Sequence, residues 1–567
     1  MVRLPALLLL TFLAACAGAP AAAPPRDELP GLYYRMLRDG TEGLEARLKE
    51  EGIQRNTGAV LAGALLYTSA HPSNPCRGDR SKLELALRAG DLLATESEGG
   101  ALQKWLNHRW LVAPWIDGTR LLERELGEDR RARWRREIEK GLADMAADVA
   151  ERERYPRFAS PFILTSPNHL SIWASTVHAG GKHFGNREWE ELGARVMRRF
   201  AEEQAPDGYW GEHSEAGPTT GYNYLTTSSV AYYYEKSGDP AALRALRRAT
   251  DFHAHFTWPD GTPVEVVNDR NRHGGVSAWG HFGFSNFPDG RSYARFLAGF
   301  LGGRMPRGET LARLAQNALY YHEGPSAPLE RDGPSWVWPM KVPALIRREG
   351  PWWIAISGIL STPAPRNRFY LDRQGHLSVF HEKAGLVISG ANSKRQPELA
   401  TFSEKVQGQT YHLPLSSRLD PGGRADRLAL SYNTFWAAIE VRALSADRLE
   451  IAVDVTRMGT SDEARLTLQL GLKSGEGFET GKGMVAPGLD RVDLEDVGGL
   501  VRQRGWTLAV DSPARLAWPV FPFNPYADGP ETDARHAVGA LSVPLKLEAR
   551  PGRRLRGQEI RLTLRTD

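Results

Sequence analysis

A chain of 567 residues, 41% hydrophobic and 25% charged, exceeds what one core usually supports, so two large globular domains are expected. A formal net charge of +4, with no Lys/Arg block interleaved with aromatics, argues against a nucleic-acid partner and is compatible with an acidic one. The two cysteines, Cys16 and Cys76, are too few for a disulfide framework.

Residues 1–16 read as a targeting segment. Arg3 supplies the positive end, and Leu7 to Leu10 with Phe12 and Leu13 form an apolar run too short to span a bilayer. Its end, Leu13-Ala14-Ala15-Cys16, resembles the bacterial lipoprotein box, which implies that Cys16 is lipidated and becomes the mature N-terminus. An ordinary signal peptide with a chance cysteine is the plainer alternative. Residues 17–28 then form an Ala/Pro-rich tether, and Cys76 is left without an intramolecular disulfide partner or a cysteine-based zinc site. The expected location is the bacterial cell envelope, membrane-tethered; Ala17, in place of an aspartate after the cysteine, favours the outer membrane if there are two.

Residues 29–325 carry a helical period. Leu85, Ala89, Leu92 and Leu93 share one face, as do Trp134, Ile138, Leu142, Met145 and Val149, and Trp189, Leu192, Val196 and Phe200. Asp239-Pro240 reads as an N-cap with proline at the first helical position, and Asn186 as the cap of a helix whose first turn is acidic. Helices joined by short Gly/Pro/Asp turns imply helical hairpins set side by side. Residues 326–350 change composition to a Pro- and Trp-containing linker. From 351 to 567 the period falls to two: Leu449, Ile451, Val453 and Val455 alternate with polar residues, as do Ile560, Leu562 and Leu564, which predicts an antiparallel β-sandwich.

One stretch of the helical region stands out. Residues 207–224, DGYWGEHSEAGPTTGYNY, open on an Asp-Gly turn and concentrate aromatic and ionisable side chains around His213 and Tyr222, with Pro218 and Gly221 between them. The order Asp207-Gly208, His213, Gly221-Tyr222 resembles the catalytic segment of chondroitin AC and hyaluronate lyases; heparinase II/III-type lyases share the same two-domain plan. The resemblance implies an (α/α) incomplete toroid followed by a β-sandwich. It also implies that Asn168, in SPNHLSIW, contacts the substrate's carboxyl group and that Arg270 or Arg272, in VVNDRNRH, serves the site. This chain departs from the family where His169, in place of tryptophan, follows the asparagine, and where its arginines are closely spaced.

The chemistry of β-elimination asks for these residue types. The proton beside a uronate carboxyl is weakly acidic, so the carboxyl must be neutralised or hydrogen-bonded, here by Asn168 and His169. A base then takes the carbon-5 proton and an acid protonates the departing oxygen; Tyr222 is assigned to both, with His213 as alternative base or modulator. Arg270 or Arg272 would hold the acidic polymer, and Trp210 and Trp173 are assigned to sugar contacts, although helical bundles bury tryptophans routinely. Each residue also has a plain structural reading: Asn168 as a helix cap, His213 bonded to backbone, Tyr222 in the core, the arginines in a solvated loop.

Two rival functions remain. A glycoside hydrolase would use two carboxylates among Asp207, Glu212, Glu215, Glu265 and Asp269. A non-catalytic glycan-binding lipoprotein would keep the cleft without the chemistry. No cofactor is expected; a structural divalent metal at His376, His381 and His412 is an alternative that strand alternation disfavours.

Overall fold

The computed structural model describes residues 28–44, 58–104, 109–155, 167–212, 217–268, 270, 275–301, 308–360, 367–546 and 557–567. Up to Tyr320 the described residues are helical, and from Ser335 they form strands with two short 3₁₀ turns, so an N-terminal helical domain is followed by an antiparallel β-sandwich.

Burial patterns sort the helices into two layers. Ala59–Thr68 is apolar all round, with Ala59 to Leu66 entirely buried, as an inner helix must be. Arg187–Glu202 instead buries Leu192, Val196, Met197 and Phe200 along one stripe and turns its arginines and glutamates outward. Hairpin partners lie next to each other in sequence: Pro167–Phe184 with Arg187–Glu202, and Thr220–Ser237 with Pro240–His255. The inner helices pack in succession, and Gly308–Tyr320 also packs against Ala59–Thr68 and Leu29–Thr41. The capping residues do what their chemistry predicts. Asp239 accepts from the Ala241 N–H at 2.9 Å, and Asn186 from the Trp189 N–H at 3.1 Å.

The β-domain has two antiparallel sheets among the described residues, of eleven and nine strands. In the smaller sheet Leu449, Ile451 and Val453 pair with Leu564, Leu562 and Ile560, and this apolar row faces the core between the sheets. The larger sheet is buried on both faces along Trp352–Ser357 and Leu377–His381. One face meets the second sheet; the other meets Phe252, Phe256, Trp258, Val264 and Val266 of the helical domain in a shared apolar cluster with Ile346, Trp353 and Phe380.

That junction changes the reading of residues 326–350. Ser335–Pro339 and Ala344–Glu349 are paired strands at the edge of the larger sheet, and the Trp338 indole stacks on His255 at 5.1 Å. Pro339 and Trp-rich composition concealed the alternation, yet an edge strand tolerates proline. Polar clamps reinforce the junction. Arg331 donates to the carbonyls of Ala254 and Thr257, both at 2.7 Å, and buried Glu265 accepts from Trp258 Nε1 at 2.8 Å and Ser378 Oγ at 2.7 Å.

Several buried histidines make stability pH-dependent. Burial pushes the imidazoles of His169 and His253 down to about 3, and those of His281 and His376 down to about 4. At His281, Tyr33 OH meets Nδ1 and the Ser277 carbonyl meets Nε2, both at 2.8 Å, so the neutral ring is fully satisfied and a charged one would add a buried cation with no carboxylate among these partners. The unfolded chain takes up these protons below about 6.5, the ordinary imidazole value, whereas the folded chain resists. This stability is therefore fully present above pH 6.5 and is lost as the pH falls towards 4 and 3. The slope reaches roughly 1.4 kcal/mol per pH unit for each histidine. Denaturant titrations at pH 7, 5.5 and 4.5 should show that decline; equal stability at all three would contradict it.

Candidate active site

The stretch 207–224 is held by backbone chemistry before any side chain acts. Gly208 has φ +89°, and a Cβ there would lie 2.1 Å from the Arg248 carbonyl oxygen, so only glycine makes this turn. Asp207 accepts from the Lys341 N–H at 3.0 Å, tying the turn to the β-domain. Asn223 then fastens the segment to the Thr220–Ser237 helix: its Oδ1 accepts from the Trp210 N–H at 2.8 Å and its Nδ2 donates to His253 Nε2 at 2.9 Å. Tyr222 falls in the first turn of that helix. The β-domain clamps both neighbouring backbones. Arg373 donates to the carbonyls of Val267, at 2.8 Å, and Pro218, at 3.3 Å, and Asn392 donates to that of Asn268 at 2.8 Å. The start of the Tyr222 helix and the approach to Arg270 are thus held by one guanidinium.

These constraints bring Asn168, Glu212, Tyr222 and Arg270 together. Glu212, 1% exposed, lies at the centre. Its Oε2 accepts from Asn168 Nδ2 at 2.9 Å and meets Arg270 Nη1 at 3.2 Å. The Arg270 guanidinium lies 4.3 Å from the centre of the Tyr222 ring and 5.4 Å from that of Tyr370. Tyr370 OH donates to the Glu212 carbonyl at 2.9 Å. The hydroxyls of Tyr222 and Tyr526 are hydrogen-bonded, and their rings are nearly parallel. Tyr370 and Tyr526 belong to the β-domain, so the site is built at the junction of the two domains.

Electrostatics follow from that packing. Burial works against the Arg270 cation, but Glu212 and the hydroxyls of Tyr222, Tyr526 and Tyr370 outweigh it and raise its pKa. Burial, with the Tyr222 hydroxyl beside it, raises the Tyr526 phenol well above its ordinary value. Burial pushes Arg152 down to about 10, against the pull of Asp148, Tyr370 and Glu212. His169 is held neutral by burial and by the nearby Arg270 and Arg152 charges.

Asn168 has no exposed surface. A carboxylate only accepts, so the Asn168 amide presents one N–H to Glu212, and its Oδ1 is buried without a hydrogen-bond partner. Its amide is thus engaged with Glu212 and is not exposed for the direct substrate contact expected of it. His169 packs between Trp110 and Trp173, with ring centroids at 5.5 and 5.0 Å. The two tryptophans assigned to sugar contacts lie in the core: Trp210 is 5% exposed with its indole N–H donated to the Phe200 carbonyl, and Trp173 is 1% exposed. Both are spent on packing, as aromatic residues of a helical bundle usually are. His213, Arg272 and Cys16 lie outside the described residues, as do Glu215 and Asp269.

Of the five carboxylates of the hydrolase reading, the three among the described residues each have a partner. Glu265 is saturated by donors at the domain junction, Asp207 caps the Lys341 backbone, and Glu212 pairs with Arg270. The three β-domain histidines also have separate partners: His376 the Ser357 carbonyl at 2.8 Å, His381 the Ala446 carbonyl at 3.2 Å, His412 the Asp372 carboxylate at 3.3 Å. No group of three or more His, Cys, Asp or Glu among the described residues is arranged to hold a metal.

Sequence comparison leaves the chain unplaced: no protein-family model matches it, and no curated protein does. Solved structures do match. Heparinase III is 11% identical over 89% of this chain and 75% of its own, with a TM-score of 0.50. The heparan sulfate lyase of Pedobacter heparinus is 11% identical over 89% and 75%, with a TM-score of 0.47. A mutant chondroitin AC lyase of Streptomyces coelicolor A3 is 13% identical over 97% and 80%, also at 0.47. At these identities the likeness is one of fold: a helical domain joined to an antiparallel β-sandwich.

Proposed function

We propose that this protein is a polysaccharide lyase that cleaves a uronate-containing polymer by β-elimination, with Tyr222 moving the proton. The observation that carries the reading is the Tyr222 hydroxyl, paired with Tyr526 at the domain junction, with a guanidinium against the face of its ring. Tyr222 is half-buried and Tyr526 is 43% exposed, so this is the part of the cluster that meets solvent. Negative charge developing on the phenolic oxygen or on a uronate carboxyl is stabilised by the Arg270 cation, which Glu212 keeps in place. In this reading Asn168 acts through Glu212, and neutralising the carboxyl falls to Arg270. His213 keeps its role as alternative base. The fold shared with heparinase III, a type of lyase the sequence resembles, supports the choice of reaction class. Incubation with a panel of uronate polymers tests it, because elimination leaves an ultraviolet-absorbing double bond. Cleavage without that absorbance would sink the lyase reading.

We propose further that Cys16 carries lipid and tethers the protein to the cell envelope, so the polymer is met outside the cytoplasm. Mass spectrometry of the mature N-terminus should find an acylated Cys16, and Cys16→Ser should release the protein or block its processing. An unmodified N-terminus elsewhere would remove the anchor.

A further inference from the structure

The outer face of the nine-stranded sheet carries a feature the site at the domain junction does not use. Trp436 is 58% exposed, whereas every other described tryptophan is buried or half-buried. Its strand neighbours Phe435 and Ala437 enter the core, so the pleat sends the indole outward. Cross-strand register sets what surrounds it. Trp436 lies in a row with Ser431 and Thr456, and Ser431 pairs on with Ser416; the next row places Ala429 opposite Ala438. Two alanines side by side leave the floor low beside the indole, and the result is a groove of about 420 Å³.

The rim is polar and its arginines are paired with carboxylates. Ser416 and Ser431 share a hydrogen bond at 2.8 Å. Arg427 meets Asp454 at 3.3 Å and Glu440 at 3.6 Å, and Arg418 meets Asp420 at 2.9 Å. Both arginines of the lining are already paired, with Asp454 inside the groove and with Glu440 and Asp420 beside it, so a polyanion gains little here, while guanidinium–carboxylate pairs and hydroxyls can exchange hydrogen bonds with neighbouring sugar hydroxyls. A flat apolar platform beside such a rim matches a pyranose ring, whose C–H face is apolar and whose edge is hydroxylated.

We infer that this groove is a second, non-catalytic glycan site that binds a neutral pyranose unit, with Trp436 as its stacking platform. It stands apart from the domain-junction site and does not depend on the reaction proposed there. A polymer held here by neutral residues would be kept beside the enzyme between cleavage events.

Calorimetric titration of the full chain tests it, using neutral hexose and N-acetylhexosamine oligosaccharides and a uronate-only oligosaccharide as the anionic control. Binding of a neutral oligosaccharide is expected, weakened at least about tenfold by Trp436→Ala and unchanged by Tyr222→Phe, so failure of either site is read separately. Trp436→Phe should restore part of the affinity, and the exposed position should leave the melting temperature unaltered. The proposal is overturned if none of the neutral set binds, if only the uronate oligosaccharide binds, or if Trp436→Ala binds as wild type. It is also overturned if the variant changes oligomeric state and not glycan affinity, which would make the groove a protein contact.

Discussion

Tyr222→Phe is expected to retain the fold and lose turnover of the uronate polymer by roughly 10² to 10⁴, the usual worth of a positioned acid–base group. The substitution removes only the hydroxyl. Its ring still lies against the Arg270 guanidinium, and Tyr526, whose hydroxyl loses its partner, is 43% exposed as a residue. A melting temperature within a few degrees of wild type should therefore accompany the loss, separating catalysis from stability. A carboxylate-based hydrolase predicts the opposite pattern, with Tyr222→Phe mild and a carboxylate indispensable. Near-normal activity in Tyr222→Phe would remove this tyrosine from the mechanism. Tyr526→Phe serves as the companion measurement: if Tyr526 only orients the Tyr222 hydroxyl, its loss should cost less.

Glu212→Ala is expected to act first on stability. Glu212 is 1% exposed and answers both the Asn168 amide and the guanidinium of Arg270, a residue itself 7% exposed. Removing it takes away a carboxylate that answers a cation in a nearly dry site. Breaking one partner of a buried pair typically costs about 3–5 kcal/mol, more than most single substitutions. Glu212→Ala combined with Arg270→Met should cost less than the sum of the two single changes, since the double variant strands no charge. Denaturant unfolding of the four proteins measures this coupling. Additive losses, or a Glu212→Ala that melts as wild type, would mean that Glu212 does not secure Arg270.

What the sequence by itself determined is the two-domain order and much of its local chemistry. A period of 3.6 before residue 325 and of 2 after 351 reports which face of each element is apolar, and burial of a face is what makes the element. The caps Asn186 and Asp239 were legible because a capping side chain bonds an amide two or three residues away. The Asp207-Gly208 turn was legible because its backbone needs glycine, and Tyr222 stood out by its place after that turn. Residues 335–349 read as linker because a proline and paired tryptophans have linker composition, and only pairing with Trp352–Ser357 makes them strands. The centre of the site was decided by tertiary structure. Glu212 looked like one carboxylate among five, and its standing came only when folding placed it between Asn168 and Arg270, 44 and 58 residues away along the chain. Tyr370 and Tyr526 lie more than a hundred residues beyond Tyr222, in loops without periodicity, so no spacing rule reaches them. Trp173 and Trp210 show the converse: an indole is equally fit for a sugar platform and for a core, and the choice is made by what packs over it.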